Sequence, residues 1–209
     1  MSLLCIVLRK DYLLFSSDTR LVMTNGKTKD DFPKIQKWNR TTIFGAGGDV
    51  ESNRLLFSDF LNEDWTPNTK AKEMSYPEIR NCIIGKYKQV KNEKGFHVFS
   101  CIGGYDGKKL SCIKIFCDQV SGQDECSEVL IGDNIRQLGV IDSGIGARNI
   151  FEELEEKKKR ELGNQNLTMR QYKNIFKDCL NIVSEIDSSV SNISLFESIR
   201  LSDVIKEVQ

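Results

Sequence analysis

Residues 3–8 (LLCIVL) and 12–15 (YLLF) are two apolar runs of strand length, separated by only three polar residues, Arg9, Lys10 and Asp11. Two such runs around a tight polar break predict a β-hairpin. Both runs are continuously apolar, where a strand with one wet face would alternate, so the hairpin is expected to be covered on both faces. A chain that opens this way has to build a layer on each side of its first sheet.

The rest of the sequence supplies those layers. Residues 41–44 read as a third strand ending at Gly45-Ala46-Gly47-Gly48, and Asn25-Gly26 marks a turn before it. Asp49 is placed to cap a helix carrying Leu55, Leu56, Phe60 and Leu61. Ser75 is placed to cap a second, with Ile79, Ile83, Ile84, Tyr87 and Val90 at helical spacing. Strands are expected at residues 96–102, 110–116, 129–131 and 138–141, the first two joined by a turn at Asp106-Gly107. Helical spacing returns after Ser143 (Ala147, Ile150, Phe151, Leu154) and is stronger through Met169, Tyr172, Ile175, Phe176, Cys179, Val183 and Ile186. The tail has strand-like pieces at 193–195 and 204–205. This order fits sheets layered between helices. With 209 residues, no repeat and no linker, a single domain spanning 1–209 is expected.

Composition narrows the chemistry. Thirty basic residues balance thirty acidic ones, so the broad basic field of a nonspecific nucleic-acid binder is missing. No apolar run approaches the roughly 18 residues that span a bilayer, and the first residues lack the flanks of a signal peptide. Neither a nucleic-acid nor a membrane partner is expected. Seven irregularly spaced cysteines read as reduced thiols, mostly in the core, of a cytoplasmic protein. Cys112, Cys117 and Cys126 are spaced too loosely for a metal knuckle. His97 is the single histidine, which nearly excludes a Ser-His-Asp triad or a multi-histidine zinc site. No metal or other cofactor is expected. His97 itself, between Phe96 and Val98, reads as core or edge packing. Residues 102–108 hold glycines and a lysine without phosphate-loop spacing and read as a hairpin loop. Residues 152–161 (EELEEKKKRE) read as a solvated helix face with Glu153–Lys157 and Glu156–Arg160 pairs.

The N-terminus offers chemistry without histidine. Ser2 follows Met1, and a small second residue is the type from which the initiator Met is normally removed. Removal leaves a free α-amine and a hydroxyl on one residue. The amine has an unperturbed pKa of about 7.7–8.0, so it can act as the base for its own hydroxyl, as in N-terminal threonine nucleophiles.

Further along, Asp18-Thr19-Arg20 follows the second apolar run, Lys34-Ile35 follows a polar stretch, and Gly47-Gly48 closes a strand and opens a helix. The run S-L-L-C-I-V-L … L-F-S-S-D-T-R … F-P-K-I … F-G-A-G-G-D-V-E resembles the N-terminal half of proteasome β subunits and of the bacterial HslV peptidase, which are N-terminal nucleophile hydrolases. Counted from Ser2, Asp18 and Lys34 fall at the family's aspartate and lysine positions with no gap. Residues 141–147 (IDSGIGA) look like the serine-glycine turn that opens a family helix, and residues 184–189 (SEIDSS) resemble the end of the next one.

The resemblance implies a four-layer αββα sandwich with two mainly antiparallel sheets, an α+β fold. It implies amide-bond hydrolysis with Ser2 as nucleophile, Lys34 beside its hydroxyl, and Asp18 holding Lys34 charged and oriented. It also implies the backbone N–H of Gly47 at the oxyanion, Ser143 near the α-amine, and Asp187 supporting the same cluster. The nucleophile is serine where the family normally has threonine. Serine keeps the hydroxyl and amine but loses the methyl group that restricts the rotamer. The implied partners are a peptide or protein substrate, further copies in a ring-like homo-oligomer, and an ATP-dependent unfoldase. An inactive structural subunit of such a ring, or a small-molecule amidase on the same fold, are the other readings.

Overall fold

A computed structural model describes residues 3–22, 27–129, 137–141 and 146–205. The N-terminal hairpin forms as its pattern predicts. β1 (Leu4–Leu8) pairs antiparallel with β2 (Tyr12–Asp18), and every residue of both strands is buried. β3 (Leu21–Val22) and β4 (Thr28–Lys29) make a small ribbon. Then come β5 (Ile35–Asn39), β6 (Thr42–Gly48), α1 (Val50–Phe57), α2 (Thr69–Glu73) and α3 (Tyr76–Val90). β7 (His97–Tyr105), β8 (Leu110–Asp118), β9 (Gln123–Val129) and β10 (Gln137–Ile141) follow. The chain continues with α4 (Ala147–Glu161), α5 (Met169–Ile186), β11 (Ser194–Arg200) and α6 (Leu201–Ile205).

Among the described residues the long strands make two antiparallel sheets, ordered β10-β1-β2-β11 and β5-β6-β7-β8-β9. Alternation along β1 explains why its sequence is apolar throughout. Cys5 and Val7 pack toward α4 and α5 with Leu14, Phe151, Tyr172 and Phe176. Leu4, Ile6 and Leu8 meet Leu13, Phe15, Ile43, Cys101 and Cys112 between the sheets. Each such leucine or isoleucine contributes about 1.5–3 kcal/mol by leaving water. The second sheet turns its other face to α1 and α3, where Phe44, Phe57, Ile79, Ile83 and Ile102 pack together. The architecture is the four-layer αββα sandwich.

Both expected caps form. Asp49 accepts from the Ser52 backbone N at 2.7 Å. Glu78 accepts from the Ser75 backbone N at 2.8 Å, closing the first turn of α3.

Several expectations are corrected. β5 and α2 lie where neither was expected. The strand placed at 129–131 ends at Val129 and starts at Gln123, as a polar and exposed edge strand; residues 130 and 131, like Asn25 and Gly26, lie outside the described residues. Residues 204–205 end a short helix, because α6 turns Val204 inward. On α4, Lys158 pairs with Glu161, and Lys159 with Glu155 and Glu156. Glu155 is buried there and accepts from the Tyr172 hydroxyl at 2.7 Å, so part of the face expected to be solvated is packed against α5. All seven cysteines are free thiols, five of them buried, with Cys82 half-buried and Cys126 exposed. Among the described residues no helix is long and apolar enough to cross a membrane.

Candidate active site

β2 ends at Asp18, whose carboxylate is the hub of the site. Its Oδ1 accepts from the backbone N of Leu3 at 2.9 Å, and its Oδ2 from the backbone N of Arg20 at 3.0 Å. Lys34 Nζ donates to both oxygens at 2.8 Å. Asp18 is 0% and Lys34 3% exposed. A charge taken this far from water is tolerable only when paired and hydrogen-bonded, and both carboxylate oxygens are doubly engaged. Burial pushes the Lys34 ammonium below the ordinary lysine value of 10.5, the Asp18 carboxylate pulls it back up, and Arg20 adds a smaller downward push.

Lys34 is held on both sides of its own backbone. Its N donates to Phe32 O at 2.9 Å, and its carbonyl accepts from Ala46 N at 2.8 Å. That second bond fixes how β6 faces the site. Antiparallel ladders bond alternate residues to alternate neighbours. Ala46 N points toward Lys34, while Asp49 N donates to His97 O at 3.0 Å on the β7 side. By that alternation Gly47 directs its N–H to its β7 partner Phe99, and Gly48 directs its N–H to the Lys34 side. The Gly47 N–H is thus engaged toward β7, and the Gly48 N–H is the one that faces the Lys34 side. Gly48 has φ +83°, and a Cβ there would fall 2.9 Å from His97 O, so only glycine suits the position. Gly47 still serves the strand end, because its carbonyl accepts from Asn53 Nδ2 at 2.7 Å.

The residues after Asp18 tie this corner to the end of α5. Thr19 N and its hydroxyl bond Ser191 Oγ at 3.1 and 2.9 Å. Arg20 reaches Ser188 O at 2.6 Å while its guanidinium grips Asp30. Asp187 caps α5 between these contacts: its Oδ1 accepts from Ser189 N at 2.8 Å and its carbonyl from Val190 N at 3.0 Å. Of the expected site residues, the structure joins Asp18 to Lys34 directly, sets Gly47 on the adjoining strand end, and places Asp187 in the turn that Thr19 and Arg20 clasp. Ser2 and Ser143 lie outside the described residues.

Sequence reading missed Asn53 and Arg20. Asn53 sits at i+4 from the Asp49 cap, a spacing that puts it under the strand it follows; Arg20 stands beside Asp18 in the quoted motif. The buried Cys5 and Cys101 thiols are pushed well above their ordinary pKa by desolvation, which keeps them protonated and unreactive. Among the described residues no group of three or more His, Cys, Asp or Glu side chains is placed to hold a metal ion.

No protein-family model matches the sequence, and no curated protein matches it. Solved structures do. Eukaryotic HslV from Trypanosoma brucei superposes with a TM-score of 0.60 at 12% identity, over 95% of this chain and 99% of that one. A Gly-1 mutant of Anbu from Hyphomicrobium sp. strain MC1 gives 0.67 at 10% identity, over 96% and 82%. Anbu, described as an ancestral beta-subunit, from Yersinia bercovieri gives 0.65 at 16% identity, over 94% and 81%. At these identities the likeness establishes a shared proteasome-like fold across nearly the whole chain.

Proposed function

We propose that this chain is an amide-bond hydrolase of the N-terminal nucleophile class, a proteasome-like peptidase, with Ser2 as nucleophile once Met1 is removed. One observation carries the reading. The Leu3 backbone N and the Lys34 ammonium donate to the same Asp18 oxygen at 2.9 and 2.8 Å, so the two nitrogens lie less than about 6 Å apart. A buried cation is thus anchored beside the peptide link to residue 2. A residue with a purely structural task has no need of a lysine there, since an apolar pair of similar volume packs as well or better.

In the proposed reaction Ser2 Oγ attacks the substrate carbonyl carbon while its proton passes to the Ser2 α-amine. The Lys34 charge stabilises the developing alkoxide, and the Gly48 N–H stabilises the oxyanion of the tetrahedral intermediate. The α-ammonium then protonates the leaving amine. Water, giving its proton to the amine, attacks the acyl-enzyme and restores the hydroxyl. Ser143 is assigned to hydrogen-bond the α-amine, and Asp187 to hold the neighbouring turn. The same reading covers residues 1–209 as one domain, expects self-association into a ring that encloses the sites, and admits an ATP-driven unfoldase that feeds them.

The test joins two mass measurements on untagged protein. The intact mass should be one methionine short, and an acylating β-lactone should add to the N-terminal peptide in the wild type but not in Ser2→Ala. Retained Met1 with no adduct would overturn the hydrolase reading in favour of the inactive structural subunit.

A further inference from the structure

β7 and β8 carry a row of paired residues on the face they turn to the first sheet. On the inward face, Gly103, Cys101 and Phe99 of β7 stand opposite Cys112, Lys114 and Phe116 of β8. Cys101 and Cys112 belong to the inter-sheet core. Phe99 and Phe116, further toward the site, are only half-buried. Their rings meet edge to face at 4.4 Å, and the His97 ring stands edge-on to Phe99 at 4.6 Å. The charged rim is paired: Lys114 with Glu125 at 2.8 Å, and Asp118 with His97 Nδ1 at 3.3 Å.

This strip adjoins the site. Phe99 lies directly across the ladder from Gly47, and a Cβ on Gly48 would fall 3.1 Å from Phe99 Cδ2. A carbonyl held by the Gly48 N–H would have its substituents within side-chain reach of that ring. We infer that Phe99 and Phe116 form a subsite for an aromatic or other large apolar side chain of the amide substrate. This rests on the hydrolase reading and names the substrate class for the same site. Two rings at T-shaped contact offer a third ring both area and favourable edge-to-face geometry. An acidic side chain placed there would lose water and find the rim charges already paired.

His97, the single histidine, gives a readout that needs no turnover. In proton NMR, N-acetyl-phenylalanine amide should shift the His97 imidazole resonances in a saturating manner, and N-acetyl-aspartate amide should not. The shift should vanish in Phe99→Ala and weaken in Phe99→Leu, which keeps most of the volume. Absence of any shift in the wild type overturns the subsite, as does an equal response to both amides. If Phe99→Ala instead reduces the assembly size in solution, a second copy covers the strip and the subsite is likewise overturned. Failure of β-lactone labelling at Ser2 speaks to the hydrolase reading separately. Where labelling succeeds, kcat/KM for phenylalanine amides over aspartate amides should fall roughly tenfold in Phe99→Ala.

Discussion

Lys34 Nζ lies 2.8 Å from each carboxylate oxygen of Asp18, and neither side chain is more than 3% exposed. The two residues are 16 apart in sequence and come from the end of β2 and the residue just before β5, so the pair exists only when the two sheets are stacked. Truncating one partner leaves the other charge buried and alone. Lys34→Ala should therefore cost about 3–5 kcal/mol of stability, measured by chemical denaturation, whereas Asp18→Asn combined with Lys34→Met should recover most of it. Equal destabilisation by the single and double variants would contradict the coupling.

The direction of the Lys34 shift sets a pH dependence. Its folded pKa is lowered by burial below 10.5. Between that lowered value and 10.5 the unfolded chain keeps a proton the folded chain has released. More protons bound in the unfolded state means that stability rises with pH across this window. The stability of the wild type relative to the Asp18→Asn, Lys34→Met double variant should climb there, while turnover falls as the charge is lost. A difference that declines with rising pH would refute the assigned shift.

Gly48→Ala tests the proposed oxyanion donor. The substitution forces a Cβ to 2.9 Å from His97 O at φ +83°. It should destabilise the fold by about 1–3 kcal/mol and, by turning the N–H away, lower kcat about 10²–10³-fold. A variant that is destabilised yet turns over at the wild-type rate would remove Gly48 from the mechanism.

Asn53→Ala removes a buried brace. Asn53 Nδ2 donates to Gly47 O at 2.7 Å and to Asp49 O at 2.8 Å, and its Oδ1 accepts from the Ser100 hydroxyl. Leaving these partners unsatisfied should cost about 1–3 kcal/mol. Because the brace aims the Gly47 and Gly48 backbone, kcat should drop with KM little changed. A change in KM alone would assign Asn53 to substrate binding instead.

How much of this was legible in the sequence depended on whether a signal was local. The β1–β2 hairpin, the Asp49 and Ser75 caps, and the long periodic α5 announce themselves within a few residues. Asp18 and Lys34 stood out only through the resemblance to proteasome β subunits and HslV, against which their spacing from Ser2 could be counted. β5 was not, because Ile35 and Trp38 are its only large apolar residues and its pairing with β6 shifts register between Lys37 and Asn39. Without β5 the parity of β6 could not be set, and that parity decides between Gly47 and Gly48. β9 escaped for a similar reason: its QDECSEV sequence has one large apolar residue, and its place comes from pairing with β8. Arg20 and Asn53 act through partners far away in sequence or on a neighbouring strand, which composition and periodicity do not display.

β2 is flanked on one side by β1 and on the other by β11, with Ser17 facing Leu4 and Asp18 facing Ser194. A ribosome delivers β1 just before β2 and β11 long after it. Until the second emerges, the edge of β2 is bare, Thr19 lacks Ser191, and Arg20 lacks the turn it clasps. A nascent chain can fold its β1–β2 hairpin early, yet the corner around Asp18 is completed only once β11 has been made. The Asp18 corner is thereby left open until that late strand closes it.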